Sequence, residues 1–137
     1  MDQIDFDSLE EGLNKDLGIE YMELDPNKVV MKISIDTSHR QPLEYLHDGA
    51  GVVLAESAAT VGAWLNCPPG KVALGSKINA SHLRPKRSGI LTTIGTPVQV
   101  GSTNQVWKVR IHDEDKKRVC VSRCGLVVVD MLRDDLA

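Results

Sequence analysis

Two polar side chains in one apolar stretch have the types and the spacing for proton-transfer chemistry. Glu56 is the only charged residue between Gly49 and Leu65. A carboxylate among apolar neighbours is costly unless it is paired, hydrogen-bonded or protonated, so its presence needs a reason. Thr60 follows one helical turn later, where its hydroxyl can donate to the carboxylate or to a water. A general base is the chemical interpretation; the structural alternative is a Glu that reaches the helix end or a salt bridge with another subunit.

A second group of polar residues precedes this stretch. His47-Asp48-Gly49 opens a helix, and Asp48 can act as its N-cap or as an acid in its first turn. The backbone N–H groups of a first turn lack helical partners and carry partial positive charge, so we expect them to bind an anion or a developing oxyanion. Gln41 and His47 are further polar groups close by, although a lone His is often structural.

The helix that must position these groups spans Gly49 to Leu65. A narrow stripe formed by Leu54, Ala58, Val61 and Leu65 is the natural face to lie on a sheet. The opposite side carries Val53, Glu56, Ser57, Thr60 and Trp64. Because the helix is apolar nearly all round, we expect it to be buried on both sides, Glu56 included, and one sheet covers only one side. A second subunit is therefore predicted to cover the other.

The remaining elements are read from apolar periodicity. Helical spacing predicts a first helix over residues 6–17, closed by Gly18 in a left-handed conformation. Strands are predicted at residues 19–24, 29–36, 72–83, 90–100, 105–112 and 119–129. Short turns between consecutive strands favour antiparallel neighbours. The pattern predicts one α+β domain over residues 1–137, with one long central helix and a five- to six-stranded antiparallel sheet.

Composition excludes several classes of function. The 137 residues are 42% hydrophobic and 26% charged, which is typical of a globular domain, and the net charge of −3 argues against binding nucleic acid. No apolar run reaches the length of a membrane span, and the N-terminus lacks a secretory pattern, so we expect a cytoplasmic protein without a membrane partner. Cys67, Cys120 and Cys124 lack paired metal or redox spacing and are expected to be reduced core residues. The four His residues show no metal-ligand spacing, so no metal site is predicted.

These segments together resemble a known family. Its motifs are matched by Gln41-Pro42, Leu46-His47-Asp48-Gly49, Leu54-Ala55-Glu56-Ser57, Ile78-Asn79-Ala80-Ser81-His82-Leu83-Arg84-Pro85 and Asn104-Gln105-Val106-Trp107. Over about residues 18–129 the chain resembles the hotdog-fold thioesterases that hydrolyse aromatic acyl-CoA, especially the type that acts on 1,4-dihydroxy-2-naphthoyl-CoA. The spacing of Gln41, His47 and Glu56 combined with the Asn79 to Pro85 motif is specific, whereas any one piece alone is weak.

The resemblance implies roles for the matched residues. Glu56 would be the nucleophile or the general base that activates water. Gln41 and the backbone N–H of Asp48 would polarise the thioester carbonyl, with His47 holding that corner, and Thr60 would orient the water or the acid. In such enzymes the acid and the carbonyl-polarising groups come from different subunits. One departure is Asp48, which stands where the family usually has Gly.

Coenzyme A is expected to bind as part of the substrate, and no separate cofactor is predicted. His82, Arg84, Lys86 and Arg87 form a local cation cluster that could bind phosphate, although a solvated turn is the plain alternative. The resemblance implies substrate or CoA contacts at Gly49, Ser57, Gly75, His82, Leu83, Arg84, Pro85, Gln99, Gly101, Ser102 and Asn104. It also implies a homodimer, and a homotetramer built from it.

The expected reaction is hydrolysis of an aromatic acyl-CoA to the free acid and CoA, with 1,4-dihydroxy-2-naphthoyl-CoA of menaquinone biosynthesis as one candidate. Hydroxybenzoyl or phenylacetyl esters and proofreading of a mischarged carrier protein are the others. One Phe, two Tyr and two Trp predict a mostly aliphatic acyl pocket, with Trp64 either in its wall or in the core. Two other functions on the same fold remain open: a non-catalytic acyl-CoA-binding protein and an enoyl-CoA hydratase, whose Asp and His pair is not evident here.

Overall fold

A computed structural model describes residue 9 and residues 11–131 of the chain. The elements in chain order are α1 (Gly12–Asp16), β1 (Glu20–Asp25), β2 (Lys28–Ser34), a short 3-10 helix (Thr37–His39), α2 (Asp48–Leu65), β3 (Lys71–His82), β4 (Ile90–Val100), β5 (Asn104–His112) and β6 (Arg118–Asp130). The α+β class and the six strands are confirmed. The prediction of one domain over residues 1–137 includes ends outside the described residues and stays a prediction.

The alternating segments form strands with one buried face, as predicted. In β5 the buried side chains are Gln105, Trp107, Val109 and Ile111, and the same period holds along β2. Cys120 and Cys124 are free and buried on one face of β6. The predicted core role of these two cysteines is therefore confirmed.

The six strands form one antiparallel sheet in the order β1-β2-β4-β5-β6-β3. The expectation that consecutive strands are neighbours is wrong for β3, which pairs with β6 and not with β4. Three strand spacings, roughly 14 Å, separate β3 from β4. The connection at residues 83–89 is long enough to cross that gap, since seven extended residues reach about 23 Å. Periodicity reports which face of a strand is buried and carries no information about its partner.

Helix α2 packs on one face of the sheet through the predicted stripe. Leu54, Ala58 and Val61 are almost completely buried, and small residues let the helix approach closely. At Gly62 a Cβ would lie 2.4 Å from the ring of Trp107, so only glycine fits this crossing. The indole N–H of Trp107 donates to Gln105 Oε1, and Gln105 Nε2 donates to a helix carbonyl, which satisfies both buried polar groups.

The N-terminal helix is shorter in the described residues than predicted. Helix α1 covers Gly12–Asp16, and residues 6–8 and 10 of the predicted helix lie outside the described part. Gly18 follows with φ of +74°, and its N–H donates to the carbonyl of Lys15, so the predicted left-handed ending is confirmed. Among the described residues, no helix combines the length and the apolar character that crossing a membrane requires.

Candidate active site

The Glu56 carboxylate stands at the junction of two cavities. The first cavity has a volume of about 270 Å³ and is lined by Leu9, Leu13, Asn14, Val53, Glu56, Ser57, Thr60, Val61 and Trp64. The second, of about 200 Å³, is lined by Glu56, Gly75, Ser76, Lys77, Ile78 and Cys124. In the single chain the Glu56 side chain is exposed, because the cavity side of α2 has no sheet over it. The predicted burial of this side depends on a second subunit and stays a prediction.

The surroundings of Glu56 leave its carboxylate available for chemistry. None of the ion pairs among the described residues includes it, and the expected alternative of a salt bridge with another subunit concerns a second chain and stays open. On β3, Gly75 supplies the room that the side chain needs. Burial and then the charge of Glu56 raise the pKa of the neighbouring Cys124 thiol to about 11, so Cys124 stays neutral at physiological pH. Glu56 is thus the charged group at this junction that can accept a proton.

The lining of the first cavity combines five apolar side chains with the polar Asn14, Glu56, Ser57 and Thr60. Trp64 lines it, and its indole N–H donates to the carbonyl of Ala73 at 2.8 Å, which fixes the ring between helix and sheet. The structure therefore brings Trp64, Ser57 and Thr60 to the same cavity as Glu56, on the face of α2 that the sequence predicted. An aliphatic pocket with one aromatic side matches the expected acyl site.

The start of α2 is organised by His47. His47 is the N-cap, and its Nδ1 accepts the backbone N–H of Gly49 at 2.8 Å. A Cβ on Gly49 would lie 2.8 Å from that nitrogen, so glycine at residue 49 lets the ring fold over the helix end. The expectation that the first-turn donors are unpaired is wrong for Gly49, because the imidazole takes its N–H. Asp48 is an exposed acid in the first turn of α2 and not its N-cap, which decides between the two roles expected for it.

Gln41 lies in the loop before α2, in a tight turn. Its side-chain oxygen accepts the backbone N–H of Leu43, and its backbone groups bond to Tyr45 and Glu44. Because the side-chain oxygen accepts this hydrogen bond, the amide NH₂ group points away from the turn and can act as a donor. The Gln41 amide can therefore donate a hydrogen bond to a thioester carbonyl oxygen.

Asp48 has a partner that sequence reasoning missed. Its Oδ1 lies 3.7 Å from Nδ1 of His82, at the end of β3, and the His82 ring packs beside Gly51 of α2. The two residues lie 34 positions apart, so no local pattern could have paired them. This contact places the Asp48 carboxylate on the side of α2 that faces the end of β3.

The predicted cation cluster divides into structural and open members. Lys86 is held by Glu114 at 3.2 Å and by Asp113 at 3.5 Å, and the Arg87 guanidinium lies 4.5 Å from the centre of the Tyr45 ring. Lys86 is therefore paired with two acids and held in the β3–β4 connection. Arg84 and Arg87 are both exposed, and phosphate could reach either of them.

The second predicted group of CoA contacts lies far from the first. The β4–β5 turn contains Gly101, Ser102 and Asn104, with Gln99 just before it, and the Gly101 N–H donates to the Asn104 carbonyl. Asn104 pairs with Val127, which in turn pairs with Leu74 near the start of β3. His82 to Pro85 follow the other end of that strand. Eight residues of strand separate the two groups by roughly 25 Å.

A similar separation holds along α2. Asp48 and Glu56 are eight residues apart on the same helix, a rise of about 12 Å. The structure thus brings Glu56, Ser57, Thr60 and Gly75 together in one group, and His47, Asp48, Gly49 and His82 in another. Gln41 lies in the loop before α2 and bonds to Leu43, Glu44 and Tyr45. Within one chain, a single carbonyl group cannot contact both groups.

Comparisons with known proteins identify the family of this chain. Residues 43–120 match the sequence profile of the thioesterase superfamily. The chain is 38% identical over 117 residues to the 1,4-dihydroxy-2-naphthoyl-CoA hydrolase of Listeria monocytogenes, a match that covers 85% of this chain and 95% of the relative. It is 33% identical to the proofreading thioesterase EntH of Klebsiella pneumoniae, over 82% of each protein. A crystal structure of a thioesterase from Haemophilus influenzae superposes with a TM-score of 0.87 at 35% identity, covering 93% of this chain and 90% of the other.

Proposed function

The chain belongs to the thioesterase superfamily and is a thioester hydrolase of the hotdog fold, and from that premise we propose that it hydrolyses an aromatic acyl-CoA with Glu56 as the catalytic acid–base group. The observation that carries the proposal is the position of the Glu56 carboxylate. It is unpaired within the described chain and stands where an apolar cavity meets a second cavity along β3. A thioester whose acyl group fills the first cavity would present its carbonyl carbon at this junction.

The proposed reaction is a direct hydrolysis. Glu56 takes a proton from a water, which Thr60 helps to orient, and the resulting hydroxide adds to the carbonyl carbon. The Gln41 amide and the Asp48 backbone N–H stabilise the tetrahedral oxyanion, with His47 holding the loop in position. Collapse breaks the C–S bond, and the departing CoA thiolate takes up the proton. Attack by Glu56 itself, through an acyl anhydride that water then cleaves, uses the same residues.

Two protomers would complete each site. The separation of about 12 Å between Asp48 and Glu56 leaves no position for one carbonyl to contact both groups of the same chain. Strand β3 is an edge strand with exposed Leu74, so its unpaired side offers a continuous surface to a second copy. In the proposed homodimer, Glu56 of one protomer faces the Gln41 loop of the other. The same CoA would then be contacted by His82 to Pro85 of one chain and by the Gln99 to Asn104 turn of the other. Within one chain these two segments lie at opposite ends of the sheet. A homotetramer built from this dimer is part of the proposal.

The size of the first cavity favours a small, compact acyl group. At about 270 Å³ it is near the lower end of pockets that hold small molecules, roughly 300–1,000 Å³. A one- or two-ring aryl group fits this volume better than a long alkyl chain. We therefore propose an aryl-CoA substrate, with 1,4-dihydroxy-2-naphthoyl-CoA of menaquinone biosynthesis as the leading candidate and a cytoplasmic location for the reaction. The Listeria hydrolase named above supports this choice.

A thiol-release screen tests the proposal. The purified protein is given benzoyl-, hydroxybenzoyl-, 1,4-dihydroxy-2-naphthoyl-, phenylacetyl- and palmitoyl-CoA, and free CoA is measured with a thiol reagent. We expect release from the aryl esters, with the dihydroxynaphthoyl ester among the best. Crotonyl-CoA, followed by loss of its double-bond absorbance, provides the hydratase comparison. Hydration without thiol release, or tight acyl-CoA binding with neither reaction, would contradict the assignment.

A further inference from the structure

A polar contact between Asn14 and Ser57 lies in the lining of the first cavity, beside Glu56. Asn14, on the short helix α1, accepts the hydroxyl of Ser57 at 3.1 Å through Oδ1, and its Nδ2 donates to the hydroxyl oxygen of Tyr21 at 2.8 Å. Asn14 and Ser57 both line the cavity, and Ser57 is the neighbour of Glu56 in the chain. Helix α1, helix α2 and strand β1 therefore meet in one hydrogen-bonded chain at the cavity wall.

This chain of hydrogen bonds has spare capacity. A carboxamide has two N–H donors and an oxygen with two lone pairs, and the two bonds use one of each. Tyr21 accepts from Asn14 and keeps its own O–H as a donor. Burial raises the pKa of the Tyr21 hydroxyl, so it is protonated and able to donate at neutral pH. One further donor and one further acceptor on Asn14 are thus available at the edge of the cavity.

Asn14 joins three elements of the fold and also lines the cavity. Helix α1 has five residues, none of which is buried, and Leu13 beside Asn14 is 59% exposed. The side chain of Asn14 instead spans from β1 to α2. The rest of the lining is largely aliphatic, with Trp64 on one side. A polar group in the lining can bind a ligand that is itself polar at the corresponding atom.

We infer that Asn14 is a specificity-determining residue that binds a hydroxyl or carbonyl group on the acyl moiety, away from the thioester. This inference rests on the proposed function and extends it, because it names which part of the acyl group is recognised and by which residue. A ring hydroxyl can donate to Oδ1 of Asn14 and accept from Nδ2 at the same time. An unsubstituted ring in the same place leaves both groups without a partner from the ligand.

The experiment compares matched substrates. The value of kcat/KM is measured for benzoyl-CoA and for its three ring-hydroxylated isomers with the wild type, Asn14→Ala and Tyr21→Phe. Asn27→Ala, in the exposed turn between β1 and β2, is the matched control. We expect the wild type to prefer at least one hydroxylated ester by about tenfold, the value of one good hydrogen bond. Asn14→Ala should reduce that preference to within about twofold by slowing the hydroxylated ester only, and Tyr21→Phe should reduce it in part.

Binding separates recognition from folding. With Glu56→Gln as the background, titration calorimetry should give a weaker affinity for the preferred hydroxybenzoyl-CoA when Asn14→Ala is added, and an unchanged affinity for benzoyl-CoA. Equal losses for both esters, or a preference that Asn14→Ala leaves intact, would overturn the inference while the thioesterase assignment stands. Absence of thiol release from every aryl ester with the wild type would overturn the proposed function and this inference with it.

Discussion

The Glu56 carboxylate occupies the space that a side chain at residue 75 would need: a Cβ on Gly75 would lie 2.8 Å from Glu56 Oε1. Gly75 lies on β3 next to a register shift in its pairing with β6, where the strand is locally irregular. The absence of a side chain at this point is what lets the carboxylate lie against the sheet at the junction of the two cavities. Strand β3 and helix α2 therefore position Glu56 together.

Gly75→Ala should displace the carboxylate without unfolding the protein. The close contact is with the end of a flexible side chain, so Glu56 can move away at little cost in stability. A displacement of about 1 Å at a reacting group can lower the rate about a hundredfold, and we expect kcat to fall towards that extent. Steady-state thiol release and thermal denaturation measure the two effects. Gly125→Ala is the control, since a Cβ there meets its nearest atom at an ordinary 3.6 Å. Equal kcat for both variants would contradict the role of Gly75.

The proposed two-protomer site predicts complementation between inactive variants. Gln41→Glu keeps an oxygen to accept the Leu43 N–H but replaces the amide donor, so it should lose about a hundredfold in kcat. Glu56→Gln should be inactive by itself. When the two variants are unfolded together and refolded as a mixture, half of the dimers are mixed and each mixed dimer has one intact site. Activity should then recover to about a quarter of the wild-type value. A mixture that stays as inactive as its components would place both residues in the site of one chain.

His47 has two functions that substitution can separate. His47→Ala removes the cap of α2, which should lower the free energy of unfolding by about 1 kcal/mol, and it also removes the support of the proposed oxyanion site. His47→Asn restores a good N-cap residue, so stability should return while activity does not. Urea denaturation and thiol-release kinetics give the two readouts. Recovery of both with Asn would show that capping is the whole contribution of this residue.

The Lys86–Asp113–Glu114 cluster predicts how stability depends on pH. Backbone N–H donors, that of Lys117 first, and Lys86 hold the pKa of Asp113 below its ordinary value. A carboxyl group with a lowered folded-state pKa stabilises the fold above its unfolded pKa of about 3.9, and this contribution is lost as pH falls through the folded-state pKa. Asp113→Asn should therefore lower Tm at pH 7, and the difference from the wild type should shrink below about pH 4. A Tm difference that stays constant between pH 7 and pH 3 would contradict this account. Asp115→Asn, on an exposed neighbour, is the control.

Most of the fold follows from local periodicity, and the exceptions have a common cause. The predicted bounds of α2 and β4 agree with the structure to within one residue, because burial of one face imposes a period that the sequence displays. The pairing of β3 with β6 was missed because strand order depends on contacts that are distant in sequence. The same reason hides the Asp48–His82 contact and the link between Asn14 and Ser57.

The candidate site was predicted in parts rather than as a whole. Glu56, Ser57, Thr60 and Trp64 share one face because helical geometry places them there, and the structure brings them to one cavity. The cover over the Glu56 side of α2 was predicted to come from a second protomer, so the exposure of Glu56 in the single chain leaves that prediction open. The roles of the individual residues also stay predictions.

The central claim is that Glu56 performs chemistry rather than holding the fold, and Glu56→Gln tests it most directly. The substitution keeps the size of the side chain and removes its ability to take a proton or to attack a carbonyl. Single-turnover thiol release from the preferred aryl-CoA should fall by at least about a thousandfold. Titration calorimetry gives the dissociation constant of the same ester on the Glu56→Gln variant. It should lie within about threefold of the dissociation constant of a non-hydrolysable thioether analogue on the wild type. A Glu56→Gln variant that hydrolyses the ester at near the wild-type rate would contradict the account.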